Sequence, residues 1–206
     1  MEPHRPVLVF SDVHLGSPRS RIRELRRCLK GIDAEVVAVA GDLFDDEHRP
    51  VGRDEARALF RRALAALGIK PRMLIVSLSS SSHDPQIAGS FTDKIDGVEV
   101  MACNCPISFE YGGVKFVITH GDLALGDGFL AYLVDLIRPG QIGRLLRRRL
   151  GVQQNEWLIY GHSHVPYLSG EERILNPGAW KIYGIRRLLG AVYEMPSAKL
   201  ICKPGS

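Results

Sequence analysis

No apolar run in this chain is long enough to cross a bilayer as a helix, so a helical membrane protein is excluded at the outset. Cysteine is scarce: Cys28, Cys103, Cys105 and Cys202 contain no Cys-x-x-Cys spacing, which excludes a zinc ribbon. Cys103 and Cys105 lie two apart in an expected strand and point the same way, so no mutual disulfide is expected. All four read as buried or half-buried free thiols. Amides are few, three asparagines and four glutamines, and lysines are outnumbered by arginines seven to twenty. Both biases fit a thermophile, and a GC-rich genome would also favour arginine. The opening Met-Glu-Pro-His-Arg-Pro has no signal-peptide organisation, and a cytoplasmic protein is expected. Internal repeats and linkers are lacking, and low complexity is confined to the serines at 79–82.

What is present is an ordinary globular composition, 206 residues with 45% hydrophobic and 24% charged side chains, enough for one domain with a sizeable core. The net charge of +4 favours anionic partners, of which phosphate compounds are the commonest. Short branched and aromatic runs at 7–11, 35–40 and 72–78 predict buried strands. Helical spacing separates them, with Ile22, Leu25, Leu29 and Ile32 on one face of 20–31. In the helix at 53–67, Ala56, Leu59, Phe60, Ala63, Leu64 and Leu67 face inward. This β-α-β-α-β order predicts a parallel sheet covered by helices. Further strands are expected at 98–103, 106–110, 114–119, 156–160, 172–175, 188–194 and 198–202, with a helical stretch at about 127–150. The expected fold is α/β: two mixed β-sheets packed face to face as a sandwich and flanked by helices. It forms one domain over 1–206, with a helical cap-like insertion at about 123–151.

Five of the seven histidines fall in motifs at strand ends: Asp12-Val13-His14, Gly41-Asp42-Leu43-Phe44-Asp45, His83-Asp84, His120-Gly121-Asp122 and Gly161-His162-Ser163-His164. Imidazole and carboxylate together bind borderline divalent metals. Asp12 and His14, two apart in extended chain, can reach one ion. Ligands of a parallel sheet gather at the carboxyl ends of its strands, where Asp12/His14, Asp42 and His83/Asp84 stand. One aspartate after a strand is more often a turn residue than a ligand. The whole set in this order points to metal-dependent hydrolysis. His4 and His48 fall outside it.

The order of these motifs resembles the calcineurin-like metallophosphoesterases, whose pattern is Asp-x-His, Gly-Asp-x-x-Asp, Gly-Asn-His-Asp/Glu, His and Gly-His-x-His. The resemblance covers nearly the whole chain. It implies that Asp12, His14 and His164 hold a first metal, that Asp42 bridges two metals, and that His120 and His162 hold the second. It implies that His83 sits near the leaving group with Asp84 orienting it. Asp45 and Asp122 are expected to fix imidazoles from behind. Where the family has Asn, this chain has Ser82, a shorter and poorer ligand. The implied cofactors are two divalent ions, manganese first, with iron or zinc as alternatives.

The implied reaction is hydrolysis of a phosphodiester or pyrophosphate bond by a metal-activated hydroxide. Beyond 123, Phe129, Leu130, Leu133, Leu136 and Ile137 form an apolar helix face, followed by Arg144, Arg147, Arg148 and Arg149. As a cap, this segment would suit a phosphate-containing small molecule or a lipid-like substrate, with Arg144, Arg147 and Arg148 as candidate contacts. As a packed helix pair it would be purely structural. The His-Gly-Asp segment followed by helices is similar to UDP-2,3-diacylglucosamine hydrolases, and Asn176-Pro177-Gly178 to small phosphodiesterases of the superfamily. Two other readings are a nuclease, disfavoured by only 7% aromatic residues, and a non-catalytic scaffold eroded at Ser82.

Overall fold

The computed structural model describes residues 5–80, 83–183 and 189–205. In chain order the elements begin β1 (Val7–Phe10), α1 (Ile22–Leu29), β2 (Val36–Val39), β3 (Pro50–Val51), α2 (Arg53–Leu67) and β4 (Met73–Ser77). β5 (Gln86–Ile87), β6 (Ser90–Ile95), β7 (Val98–Cys103), β8 (Ile107–Tyr111) and β9 (Val114–Thr119) follow. The chain continues through α3 (Gly128–Ile137), α4 (Gln141–Leu150), β10 (Trp157–Tyr160), β11 (Tyr167–Ser169), β12 (Ile174–Asn176), β13 (Val192–Met195) and β14 (Lys199–Cys202).

A seven-stranded sheet runs β14-β13-β1-β2-β4-β7-β6 and a five-stranded sheet runs β11-β12-β10-β9-β8. Each is parallel at its centre (β1, β2, β4 and β7; β9, β10 and β12) and antiparallel at its edges. The strand period of two sorts the side chains into layers. From β1 and β2, Val7, Val9, Val36 and Ala38 point into the space between the sheets, where they meet Phe116, Ile118, Trp157 and Ile159. Their neighbours Leu8, Phe10, Val37 and Val39 point to the other face, under α1 and α2. On the far side, Val117, Leu158 and Tyr160 meet Ala131, Ile142 and Leu146 of α3 and α4. The result is four layers, helix-sheet-sheet-helix, in agreement with the expected fold class.

α2 buries the six residues its spacing marks, carries Asp54 and Glu55 in its first turn, and stops at left-handed Gly68, whose N–H bonds the Leu64 carbonyl. Four strands were not expected: β3 and β5, which pair as a separate two-stranded parallel sheet, β6 and β11. β6 is a charged edge strand with only Phe91 and Ile95 buried, joined to β7 by Asp96-Gly97, both at positive φ. β11 has three residues. The last part of the expected 188–194 strand is seen as β13; residues 184–188 lie outside the described set.

The cysteines differ from expectation. Cys103 is joined to Cys105 and Cys28 to Cys202, leaving none free. Two residues of extended chain span about 6.6–7.2 Å, at the limit for a bridge. β7 ends at Cys103, however, and the bend at Asn104 brings the two Cα atoms to 5.2 Å. No described helix is long and apolar enough to cross a membrane.

Candidate metal centre

Five of the central parallel strands of the two large sheets end at one pole of the sandwich in a loop carrying a motif. β1 delivers Asp12 and His14, β2 delivers Asp42 and Asp45, β4 leads to His83 and Asp84, β9 to His120 and Asp122, and β10 to His162 and His164. The loops are knitted together by their backbones. Asp12 N–H bonds the Gly41 carbonyl at 3.0 Å, His14 N–H the Asp42 carbonyl at 2.8 Å, and Gly161 N–H the His120 carbonyl at 2.8 Å. Close approach requires glycine here: a Cβ on Gly41 would lie 2.5 Å from the His120 ring, and one on Gly161 would lie 2.5 Å from both the Ala40 carbonyl and Asp12 Oδ2.

Six of the motif residues occupy the left-handed region: Asp12, His14, Asp42, His83, His162 and His164, with φ between 47° and 68°. Asp and His are enriched there among non-glycine residues, yet each instance still costs about 1–3 kcal/mol and persists only where the surroundings enforce it. All six lie in the loops that follow β1, β2, β4 and β10.

Asp42 Oδ2 lies 3.5 Å from His14 Nε2 and 3.4 Å from His120 Nε2. On the His14 side stand His164, whose Nε2 is 3.1 Å from Asp12 Oδ1, and His83, whose ring is 4.7 Å from that of His14. On the His120 side stands His162, its ring 4.7 Å from that of His120. Asp42 is thus the carboxylate between two groups of imidazoles.

Three of the imidazoles have one nitrogen committed by a hydrogen bond. His14 Nδ1–H donates to Asp45 Oδ1 at 3.1 Å, His83 Nδ1–H to the Asp45 carbonyl at 2.7 Å, and His162 Nε2–H to the Leu125 carbonyl at 2.8 Å. The opposite nitrogen keeps its lone pair, as a metal ligand requires. Asp45 also binds the Lys181 ammonium, which with His14 holds its carboxyl below the usual range although burial works the other way. Asp122, 3.5 Å from His120 Nδ1, is fixed by the N–H and hydroxyl of Ser80 at 2.8 Å each.

Burial pushes His14 down to about 4, so it is neutral. His120 goes the other way: burial opposes its charge, but Asp42, Asp122 and Asp12 raise its pKa well above the ordinary value. Asp12 and Asp42 stay below the carboxylate range despite burial, held there chiefly by His164 and His120. A fully buried polar atom without a partner is costly. Asp12 Oδ2, Asp42 Oδ1 and His120 Nε2 are such atoms, all in this cluster. A divalent cation would satisfy them, and the mixed histidine-carboxylate donor set fits one. Asp12, His14, Asp42 and His164 can bring one ligand atom each within 4.8 Å of one another.

Other residues stand elsewhere. Asp84 does not reach His83: its carboxylate accepts the N–H groups of Phe44 (2.9 Å) and Ser79 (2.8 Å), clamping two loops. Burial, reinforced by Asp42, raises it to about 7. Ser82 lies outside the described residues. The arginines are not at the site. Arg144 pairs with Glu172 at 2.7 Å, while Arg147 donates to the Glu156, Glu172 and Arg173 carbonyls. Those carbonyls precede β10 and β12, the opposite pole from the metal loops. Arg148 shares a cavity with Gln141, Gln154 and Glu172. Arg144 and Arg147 are therefore tied to the end of the sheet opposite the motif loops.

The sequence reading missed Lys181 and Tyr183. They follow β12, a sixth parallel strand end, after Asn176-Pro177-Gly178. Asn176 braces the adjoining loop by donating to Ser163 Oγ at 2.9 Å. The Tyr183 hydroxyl donates to His14 Nε2 at 3.0 Å, and its ring stacks on His164 at 4.6 Å. The signal was available: an Asn-Pro-Gly turn after a parallel strand, at the same sheet pole as the other motifs.

Residues 6–189 match the calcineurin-like phosphoesterase superfamily domain. The chain belongs to that superfamily. No curated protein sequence matches the chain. Among solved structures it is similar to an archaeal phosphodiesterase, at 15% identity over 95% of this chain and 96% of that one, with a TM-score of 0.52. It is similar to a single mutant of Vps29 from Entamoeba histolytica, at 18% identity over 95% of both chains, TM-score 0.50. A third is the phosphoesterase YfcE from E. coli, at 15% identity over 96% and 97%, TM-score 0.49. At these identities the first two likenesses show a shared fold.

Proposed function

We infer that this calcineurin-like phosphoesterase hydrolyses a phosphodiester or pyrophosphate bond at a dinuclear metal centre. The observation that carries this reading is Asp42 Oδ2 standing 3.5 and 3.4 Å from the Nε2 atoms of two separate imidazole groups. Asp12, His14 and His164 would hold one ion, His120 and His162 the other, and Asp42 both. Manganese is the first choice, with iron or zinc as alternatives. Bound ions would supply an acidified water and polarise the phosphoryl oxygens.

The chain's own residues do the rest. Asp45 and Asp122 hold the rings of His14 and His120 in place. His83, anchored through Nδ1 to the Asp45 carbonyl, keeps Nε2 free to protonate or stabilise the leaving oxygen. Asp84 fixes the loop that carries it. Tyr183 and Lys181 form the wall over His14 and His164 and would contact the phosphoryl group. The archaeal neighbour's description as a phosphodiesterase supports the bond type.

The test is manganese-dependent hydrolysis of bis-p-nitrophenyl phosphate by wild type and His162→Ala. Turnover lost in the variant and with chelator is expected. Absence of turnover with manganese, iron and zinc would sink the reading in favour of a scaffold.

A further inference from the structure

Strand β7 runs parallel to β4, with Cys103 opposite Ser77, so its carboxyl end arrives at the pole of the motif loops. It brings no metal motif there. It ends in Cys103-Asn104-Cys105, and Asn104 turns its amide onto the segment that carries His83. Asn104 Nδ2 donates to the Ser79 carbonyl at 2.6 Å and to the Pro85 carbonyl at 3.0 Å, while Oδ1 accepts the Ile87 N–H at 2.9 Å. One amide thus joins a residue before His83 to two residues after it.

The three bonds require an amide in one orientation. Two carbonyls need two hydrogens on a single atom, and the N–H needs an acceptor beside them. Aspartate has no such donor, and a flipped amide would set oxygen against both carbonyls. The backbone of Asn104 is fixed as well. Leu78 N–H holds the Cys103 carbonyl and the Ser77 hydroxyl holds the Cys105 carbonyl, at 2.8 Å each, and the Cys103–Cys105 bridge closes a ring around Asn104. The anchor therefore belongs to the sheet. Gln86 Nε2 also reaches the Ser79 and Asp84 carbonyls, at 3.3 and 3.2 Å, but it is part of the same segment as His83 and moves with it.

His83 needs an anchor of this kind. Its φ of 67° is left-handed, a conformation that persists only where the surroundings enforce it. The hydrogen bonds that His83 and Asp84 make outside their own segment go to residues 44–47. Glu47 N–H donates to the His83 carbonyl at 2.9 Å, His83 Nδ1–H donates to the Asp45 carbonyl, and Phe44 N–H donates to Asp84. Those partners follow β2. In the sheet order β2-β4-β7, Asn104 holds the segment from the opposite side.

We propose that Asn104 is a positioning residue for the phosphoesterase reaction, holding the His83 ring in its place beside His14. What His83 does there rests on the phosphoesterase reading; where its ring stands does not.

The test therefore has two arms, each run on wild type, Asn104→Asp and Asn104→Ala. The first is made in chelator at about pH 8.5, above the ordinary histidine range, where long-range proton–nitrogen spectra read ring tautomers through carbon-bound protons. In wild type His83 is expected as the Nδ1–H tautomer that its bond to Asp45 requires. In both variants it should revert to the tautomer mixture of a free imidazole, while His14, bonded to Asp45 Oδ1, keeps its Nδ1–H. The second arm compares manganese-dependent kcat on diphenyl phosphate, whose leaving group is the more basic, and on bis-p-nitrophenyl phosphate. A displaced general acid should cost at least about tenfold more on diphenyl phosphate, and Asn104→Ala should add nothing on a His83→Ala background. His83 held as Nδ1–H in both variants, or not so held in wild type, overturns the proposal. So does an activity loss equal on the two esters, the mark of a general brace. Wild type without turnover defeats the phosphoesterase reading instead, and the tautomer of His83 then decides the role of Asn104.

Discussion

Two neighbouring regions break the inside-apolar, outside-polar arrangement in opposite directions. Around Asp42, carboxylates and imidazoles are buried on strained backbone, with orphaned atoms among them. On α3, a few ångströms away, phenylalanine, leucine and isoleucine face out while an aspartate is buried. Each departure is costly locally, and each is enforced by the packed sheets beneath. Such conflicts mark places where something besides stability shapes the sequence. The difference between them is chemical: the first gathers donors that a cation would satisfy, the second exposes apolar side chains. Asp135 connects the two, because it holds α3 and Ser163 at once.

The largest effect should come from the first region alone. Asp42→Ala, which removes the carboxylate shared by both imidazole groups, should lower manganese-dependent hydrolysis by at least about a thousandfold. Asp45→Ala removes only the support of His14, His83 and Lys181. A loss of about 10–100-fold in metal affinity or activity is expected, read by titration calorimetry and kinetics. Asp135→Ala tests the link. It strands the Tyr160 and Ser163 hydroxyls and should cost about 1–3 kcal/mol in denaturant unfolding, while also weakening metal binding. Leu136→Gln, on the opposite face of the same helix, should stay within about 0.5 kcal/mol. If the two variants destabilise equally, the inside-out assignment of α3 is wrong.

The smallest effect is a matter of protons. His120 has a raised pKa, so in the metal-free protein it is charged at neutral pH and must lose its proton to coordinate. Manganese binding at pH 7 should release protons, measured by calorimetry in buffers of different ionisation enthalpy, and His120→Gln should abolish that release. The linked contribution of His120 to metal-free stability is complete below its unfolded pKa of 6.5 and is lost as pH rises through the raised folded value. His14, lowered to about 4, has the opposite sign: it favours the fold above 6.5 and destabilises it progressively as pH falls from 6.5 toward 4.

Much of the metal pole was legible in the sequence because it depends on short-range order. A run such as Val-Leu-Val-Phe is a buried strand, and a parallel sheet sends every such strand's carboxyl end to the same pole. Asp12, Asp42 and His162 therefore converge from positions far apart in the chain. What escaped depended on long-range geometry. The apolar stripe of α3 has the periodicity of a core-facing helix, and only the bonds of Asp135 to Tyr160 and Ser163 turn it outward. Arg144 and Arg147 read as a basic cap because nothing local shows that Glu172 and the carbonyls before β10 and β12 absorb them. The Cys103–Cys105 bridge was missed because it depends on where β7 stops. β6 was missed although Asp96-Gly97 announced its turn, since its exposed charges hid the alternation of Phe91 and Ile95.

The central claim is that the buried cluster around Asp42 is a two-ion site. It is tested most directly by counting manganese ions bound per chain at equilibrium, in wild type, His162→Ala and Asp42→Ala. The account predicts two, one and none held tightly. Wild-type protein that binds no manganese, iron or zinc, or an Asp42→Ala variant that binds as wild type does, would contradict it.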